Sequence, residues 1–343
     1  MLFIERIVSI LRIDAYLSII TPNNWLTVSS AEIVREYVLK NSDLNIVSFD
    51  KKVFEDANVD TAILTMRIGL SGDENINIYQ SVFNIISHSH SINKSVIRNT
   101  KGFIINPVST INTIYSALLS KIENCADSLS NIAKVKVGLK SYQTGKGKPK
   151  QTDEIKKSRF FHSSQKLNDT YLKYLEGRDV SRYKLSWSGE YLSYGIFLAE
   201  PRNIHLFMGE RILVRQIPSK PPYCIHACYT NEPLLNDINS MLIVDININS
   251  KYLLAILNSK LISFWFVHKF GKLQRGIFPQ FKVNELASFP IHIATNNEQE
   301  EIAKIVEEIN DKNYDDLSSK LDFLVYKLYK LNKAEIDVIE ASN

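Results

Sequence analysis

Apolar residues recur at helical spacing from the start of the chain: Phe3, Ile7, Ile10 and Leu11 fall on one face of a helix over residues 2–12. An apolar run at 15–21 reads as a buried strand, stopped by Pro22 and Asn23. Residues 29–40 predict a second helix with Ser29 or Ser30 as its cap, and 44–50 and 61–68 predict two further strands. Helix, strand, helix, strand, strand in succession is the order of an α/β layered fold. It fills about 70 residues, fewer than the ~100–150 typical of a domain. That predicts a partial sheet whose open edge wants a partner.

Residues 70–107 are polar, rich in Ser, Asn and Ile, and predict no clear element. A helix is expected over 108–122. From Ile132 the texture changes to short strands with polar breaks, at 132–137, 180–186, 191–198, 211–217, 224–229 and 240–246. Short helices follow at 250–258 and 259–268. The last fifty residues read as helical, with Ile302, Ile305, Val306 and Ile309 on one face and a second stripe of Leu321, Leu324, Val325, Leu328 and Leu331. The Gly/Lys-rich stretch 143–157 reads as a mobile loop.

Charge is distributed unevenly. Residues 134–220 hold 18 Lys and Arg against 8 Asp and Glu, whereas 294–343 hold 6 against 12. A basic middle beside an acidic tail predicts that the middle faces a polyanion and the tail does not. Three cysteines, Cys125, Cys224 and Cys228, do not describe a disulfide framework. A reducing, cytoplasmic setting follows. Glu5, Arg6 and Arg12 interrupt the N-terminal apolar pattern, so it does not read as a signal peptide. No stretch reaches the ~18 uncharged apolar residues of a membrane span.

Three separated blocks resemble one family, the TaqI-like, type IIG-like DNA adenine methyltransferases of restriction–modification systems. FIERIVSILRIDAYLSIITPNNWL, VREYVLKN and FDKKVFEDANVDTAILTMRI are similar to the last helix–strand units of the methyltransferase domain. IAKVKVGLKSYQTG, YLEGRDVSRY, ERILVRQIPSKPPY, YLLAILNSKLISFWF and LASFPIH resemble its target-recognition domain, and LDFLVYKLYKLNKAEIDVIE its helical tail. The resemblance implies a partial Rossmann-like methyltransferase sheet at 1–70 and a linker with a helix at 71–130. A mixed α/β recognition domain at 131–293 and a helical tail at 294–343 would follow. It also implies methyl transfer from S-adenosylmethionine to the adenine amine of double-stranded DNA. The family's Gly-containing cofactor turn and its Asn/Asp-Pro-Pro-aromatic motif are both absent from this sequence. The chain is therefore expected to be inactive alone, to bind no S-adenosylmethionine by itself, and to need the N-terminal methyltransferase half as partner. The competing reading is a non-enzymatic specificity subunit that docks on a separate methyltransferase.

The resemblance places Phe54 where the family stacks an aromatic on the flipped adenine. The alternative is a core phenylalanine. Asn23 and Trp25 follow a strand end, where α/β folds place ligand sites, or form a capping turn with a packed Trp. Lys220-Pro221-Pro222-Tyr223 mimics the catalytic motif, but lysine only donates hydrogen bonds and cannot activate an amine. Cys224, His226 and Cys228 alternate as on one strand face, yet lack a fourth ligand, so no metal is predicted. Asp153, Glu154 and Lys156 give a weak nuclease-like pattern. For DNA, Lys140, Tyr142, Thr144, Lys146, Lys148, Arg178, Arg182 and Arg215 are candidates, with Lys272, Gln274 and Arg275 on a glycine-flanked loop. Arg211 and Arg215 are expected to face opposite ways, one toward a carboxylate. Arg178 and Asp179 are expected either to start the recognition core or to pair with each other.

Overall fold

The computed structural model describes residues 2–49, 53–54, 61–69, 74–82, 85–99, 102–105, 113–270, 280 and 282–341. Two compact units result: Met1–Ala117 with Val267–Ile277, and Leu118–Phe266 with Phe278–Asn343.

The first unit opens with α1 (Leu2–Ile10), then β1 (Tyr16–Pro22), α2 (Glu32–Asn41), β2 (Ser42–Phe49) and β3 (Thr61–Ile68). Strands β4 (Asn75–Val82) and β5 (Ile85–Asn93) and the short α3 (Lys94–Arg98) follow. The sheet order is β1-β3-β2-β4-β5. β3 lies antiparallel between β1 and β2, with Ile19 opposite Leu64 and Ile46 opposite Leu64. β1 and β2 therefore run parallel, joined by the α2 crossover, and β2 pairs with β4 in parallel. The stretch expected to be a linker thus carries two sheet strands. Its Ile76, Ile78 and Ile92 are fully or almost fully buried. Their alternation is hidden among Asn and Ser, which masks the strand signal.

One sheet face is covered by Ile4 and Val8 of α1, by Trp25 and Leu26, and by Val38 and Leu39 of α2, over Leu44, Ile46, Leu64 and Met66. Period-two geometry then turns Tyr16, Ser18 and Ile20 to the other face, where they are exposed. The strand expected to be buried at 15–21 is half-open. The face of α1 differs as well: Ile4 and Val8 pack, while Phe3 and Ile10 are exposed. Both faces of this helix are apolar, so spacing alone did not select between them.

Arg35 of α2 is fully buried in this core. Its Nη1 donates to Trp25 O at 2.5 Å and Val28 O at 2.7 Å; Nε and Nη2 donate to Gly102 O at 2.9 and 2.6 Å. Burial lowers its pKa from the ordinary arginine value, and Glu32 opposes that shift.

In the second unit, α4 (Thr113–Asn124) begins within the first unit's residues. It leads to β6 (Asp127–Ser128), α5 (Leu129–Ile132), β7 (Lys134–Val137), α6 (Asp153–Lys157), β8 (His162–Ser163) and β9 (Tyr171–Leu175). Then come β10 (Tyr191–Ser193), β11 (Arg211–Arg215), β12 (Ala227–Thr230), β13 (Leu235–Asn236) and β14 (Ser240–Val244). α7 (Ser250–Leu257), α8 (Lys260–Phe270), α9 (Val283–Ala287) and β15 (Pro290–Ile291) precede the tail helices α10 (Asn296–Glu308), α11 (Tyr314–Leu328) and α12 (Lys333–Ala341). Two four-stranded sheets, β12-β11-β14-β7 and β13-β9-β10-β8, share a core of Leu175, Leu192, Phe207, Leu213, Cys228 and Leu242.

The strand expected at 180–186 does not form. Tyr183 adopts φ 62, in the left-handed region that ends an extended run, and only Val180 and Leu185 bridge. The strand at 224–229 begins only at Ala227, because Cys224 N donates to Ser263 Oγ and Ala227 N to Asn258 Oδ1, both at 2.9 Å. Cys224 and His226 therefore precede the strand, and the shared face assumed for a metal set is lost. Among the described residues no group of His, Cys, Asp or Glu is placed to hold a metal, and no single helix is long and apolar enough to cross a membrane.

The tail belongs to the second unit. Leu321 and Val325 are buried, as are Ile302 and Val306. Its acids pair with lysines of the same unit: Lys121–Glu335 at 2.7 Å, Lys260–Glu340 at 2.6 Å and Lys184–Asp311 at 2.8 Å.

Replacing Arg35 with Met removes a buried fork and takes the side-chain donor from the carbonyls of Trp25 and Gly102, while Val28 O keeps Ala31 N. We expect a loss of about 3 kcal/mol, since each unsatisfied buried polar group costs about 1–3 kcal/mol. Urea unfolding followed by Trp25 fluorescence, with Trp187 and Trp265 replaced by Phe in both proteins, measures it; an unchanged midpoint would refute the role.

Candidate nucleic-acid interface

The basic segment between β7 and β8 is a fastened turn rather than a loose loop. Gln151 is buried and acts as the pin. Its Nε2 donates to Ser141 O at 2.9 Å and Phe197 O at 2.8 Å, and its Oε1 accepts from Gln143 N at 2.9 Å. Its backbone closes the turn, with Gly145 N donating to Gln151 O and Gln151 N to Lys146 O. Gly147 sits at φ 83, and a Cβ there would lie 2.3 Å from Phe197 O. A glycine is required for this close approach. Lys146, Lys148 and Lys150 project from the turn and are exposed.

Aromatic packing supports the turn from below. Tyr142 stacks on Phe161 at 5.7 Å, and Phe161 meets Phe197 at 4.5 Å. Tyr142 Oη accepts from Phe161 N at 2.8 Å and hydrogen-bonds His162 Nδ1 at 2.8 Å. Burial pushes the Tyr142 hydroxyl up to about 12. Burial and Arg159 bring His162 down to about 4. Both are neutral at pH 7, so this pair gives shape rather than charge. Tyr142, expected at the DNA surface, has its hydroxyl committed to the loop's own structure.

Pairing sorts the cations. Arg159 bridges Glu176 at 3.2 Å and Glu190 at 2.8 Å, and Lys173 meets Glu232 at 3.0 Å. Lys134, Lys166, Lys184 and Arg202 are likewise taken by acids. Lys146, Lys148, Lys150, Lys156 and Lys157 form no ion pair among the described residues. The Lys140 ammonium donates to Gln143 Oε1 at 2.7 Å and pairs with no acid among the described residues. The exposed Thr144 hydroxyl donates to Asp153 Oδ1 at 2.6 Å. Thus most of the uncompensated positive charge of residues 134–220 gathers between 140 and 157.

Other expected residues fall differently. Arg182 is buried. Its Nε donates to Asn258 O at 2.8 Å, its Nη1 to Tyr314 Oη at 2.9 Å, and its guanidinium lies 3.5 Å from the Tyr223 ring centre. Buried, it presents no guanidinium to a phosphate or to a groove edge and is withdrawn from that set of DNA contacts. Arg178 is exposed on the turn Gly177–Asp179 and pairs with Glu176 at 2.9 Å, not with Asp179. Asp179 instead accepts from Glu176 N at 2.9 Å. Arg211 is fully buried, but on carbonyls: Gly209 O at 2.6 Å, Glu232 O at 2.9 Å and Leu234 O at 3.0 Å. Strand alternation puts Arg215 on the same face, half-buried at the strand end, so the two do not face opposite ways. Lys272, Gln274 and Arg275 lie outside the described residues.

In the first unit Trp25 is buried, with Nε1 donating to Thr21 Oγ1 at 3.2 Å. It is a core residue and leaves the target-base set. Phe54 is 46% exposed, which excludes the core alternative. Asn23 is half-buried in the turn Asn23–Leu26. Neither described glycine of this unit is open to cradle a cofactor. Gly69 N is bound to Asn41 O, with Ile13 packed where its Cβ would go, and Gly102 O holds Arg35. The Lys220–Tyr223 segment is structural too: Tyr223 Oη donates to Asp322 Oδ2 at 2.7 Å.

Gln151, Arg159 and the exposed Phe160 were not singled out from the sequence. Phe160, 68% exposed beside the turn, had a signal in the Phe160-Phe161-His162 run. Gln151 had none, because its partners lie at 141, 143 and 197.

Comparison with known proteins supplies the lineage. Residues 172–291 match the TaqI-like C-terminal specificity domain, and residues 1–54 match the Eco57I restriction-modification methylase. The chain is 28% identical, over 95% of its length, to a candidate type II restriction enzyme and methyltransferase, RM.MjaORFECS2P, of Methanocaldococcus jannaschii, and spans 28% of that protein. The fold is similar to that of the type IIL restriction-modification enzyme MmeI, solved in complex with DNA, with a TM-score of 0.57 and 11% identity. The match covers 98% of this chain and 49% of MmeI. On these matches the chain is similar, over residues 172–291, to TaqI-like C-terminal specificity domains and, over residues 1–54, to a restriction-modification methylase.

Proposed function

We propose that the second unit reads a DNA sequence on behalf of an adenine-specific DNA methyltransferase, with the turn at 140–157 as its phosphate grip. The observation that carries this reading is the pinned turn. Uncompensated lysines on a backbone fixed by Gln151 hold phosphates at a set register, which is what sequence readout from neighbouring side chains requires. Arg178, Arg215, Lys272, Gln274 and Arg275 are proposed base-edge or phosphate contacts, and Phe54 and Asn23 part of the target-base pocket. The reaction is methyl transfer from S-adenosylmethionine to the adenine amine. The residues that hold the cofactor lie elsewhere in the enzyme.

The first unit supports the idea of a larger sheet. Among the described residues β1 ends the strand order, with no strand paired on its outer side. Phe3, Ile10, Ile13, Tyr16 and Ile20 are all exposed around it. Such an edge and such a patch are usually covered. We propose that the remaining methyltransferase half covers them. A specificity subunit docking on a distinct enzyme would have no use for this sheet. The cytoplasm, where the cell's DNA lies, is the proposed site of action.

Three outcomes follow. Changing Lys146, Lys148 and Lys150 together to Gln is expected to weaken duplex binding and reduce the log–log salt slope by about 2–3, at roughly 0.9 per lost phosphate contact. Fluorescence anisotropy across a salt series measures this; absence of duplex binding even at low ionic strength would defeat the proposal. Changing Gln151 to Met is expected to keep that slope but lower the preference for a duplex selected from a random library by about tenfold. Finally, the chain with labelled S-adenosylmethionine and DNA is expected to transfer no methyl group unaided.

A further inference from the structure

Within the second unit a cleft of about 640 Å³ opens between the Ser181–Lys184 turn, Tyr223 with His226, and the segment from Ile309 to Asp315. None of the residues kept above as DNA contacts lines it. Three side chains that line it carry a buried polar atom with no hydrogen-bond partner among the described residues: Arg182 Nη2, Tyr183 Oη and His226 Nδ1. We propose that this cleft binds a flat, neutral, carbonyl-bearing heteroaromatic ring, the chemistry of a nucleobase.

The donor set comes from a side chain that is only 5% exposed. Nε and Nη1 of Arg182 are committed to Asn258 O and Tyr314 Oη, and Tyr223 covers one face of the guanidinium. Nη2 is left as a fixed donor, and arginine can only donate. Its complement is an acceptor such as a ring carbonyl. Tyr183 Oη can donate or accept a hydrogen bond, and His226 Nδ1 does one or the other according to its tautomer. Burial raises the Tyr183 hydroxyl well above its ordinary range. Burial, with Arg215 and Arg182 nearby, lowers His226 to about 4. Both are therefore neutral at pH 7, and the imidazole has one donor and one acceptor nitrogen. Donors and acceptors side by side match the edge of a base.

Charge and shape narrow the class further. Asp311 and Asp315 line the mouth, Asp311 with Lys184 already as partner, and Asp322 lies behind Tyr223. A phosphate or carboxylate would meet these acids, so an anion is disfavoured. The tyrosines at 183, 223 and 314, with Ile309, make flat apolar walls, and aromatic faces favour a planar partner. Tyr183 is set there by backbone at φ 62, with its N–H bound to Ala227 O at 2.8 Å.

The test uses the full chain with adenosine, guanosine, cytidine and thymidine, and with acetate and inorganic phosphate as anion probes, in saturation-transfer NMR and equilibrium dialysis. We expect at least one nucleoside to bind saturably. Tyr183→Phe should weaken it about tenfold without lowering the melting temperature, and His226→Leu should also weaken it. Binding of no nucleoside, equal binding by Tyr183→Phe, or displacement of the nucleoside by acetate or phosphate would overturn the proposal. Adding duplex DNA separates the sources. Competition with the nucleoside assigns the ring to a base drawn from DNA, whereas simultaneous binding assigns it to a free nucleoside; either result upholds the site.

Discussion

Burying arginine without a carboxylate is the constraint on which both units depend. Arg35, Arg182 and Arg211 are 0–5% exposed, and none forms an ion pair among the described residues. A cation taken out of water costs several kcal/mol unless its donors are met. Here backbone carbonyls meet most of them: Trp25, Val28 and Gly102 around Arg35; Gly209, Glu232 and Leu234 around Arg211; Asn258 around Arg182. The planar fork satisfies carbonyls of segments that no sheet ladder reaches. Irregular backbone, which is abundant in the second unit, is thereby tied to the core.

The same accounting explains the surface. Many cations of the basic middle are neutralised where they stand, by Glu176, Glu190, Glu232 or the acids of the tail. What remains uncompensated is concentrated on a turn whose geometry is fixed by Gln151. The acidic tail therefore does two things. It packs Leu321 and Val325 into the unit, and it removes positive charge away from the turn, sharpening the contrast between one basic surface and the rest.

Much of this was legible in the chain. The α/β order of residues 2–68, the strands at 211–215 and 240–244, the helices at 250–257 and 260–270, and the helical character of the tail all followed periodicity. So did the excess of positive charge between 134 and 220. The failures share one origin. α1 is apolar on two faces, and which face packs depended on the sheet beneath it. β4 and β5 carry Asn and Ser on their open side, so their alternation was diluted. Arg182 and Trp25 look like surface chemistry as residue types, yet tertiary packing buries them.

Local pattern and charge therefore determined the element order and where positive charge is concentrated along the chain. Only the tertiary structure decided which lysines stay unpaired, which arginines turn inward, and that Gln151 rather than a cation organises the turn. The reason is physical. Helical and strand periodicity are set by neighbours a few residues apart, whereas burial and ion pairing are set by partners that the fold brings together from far along the chain.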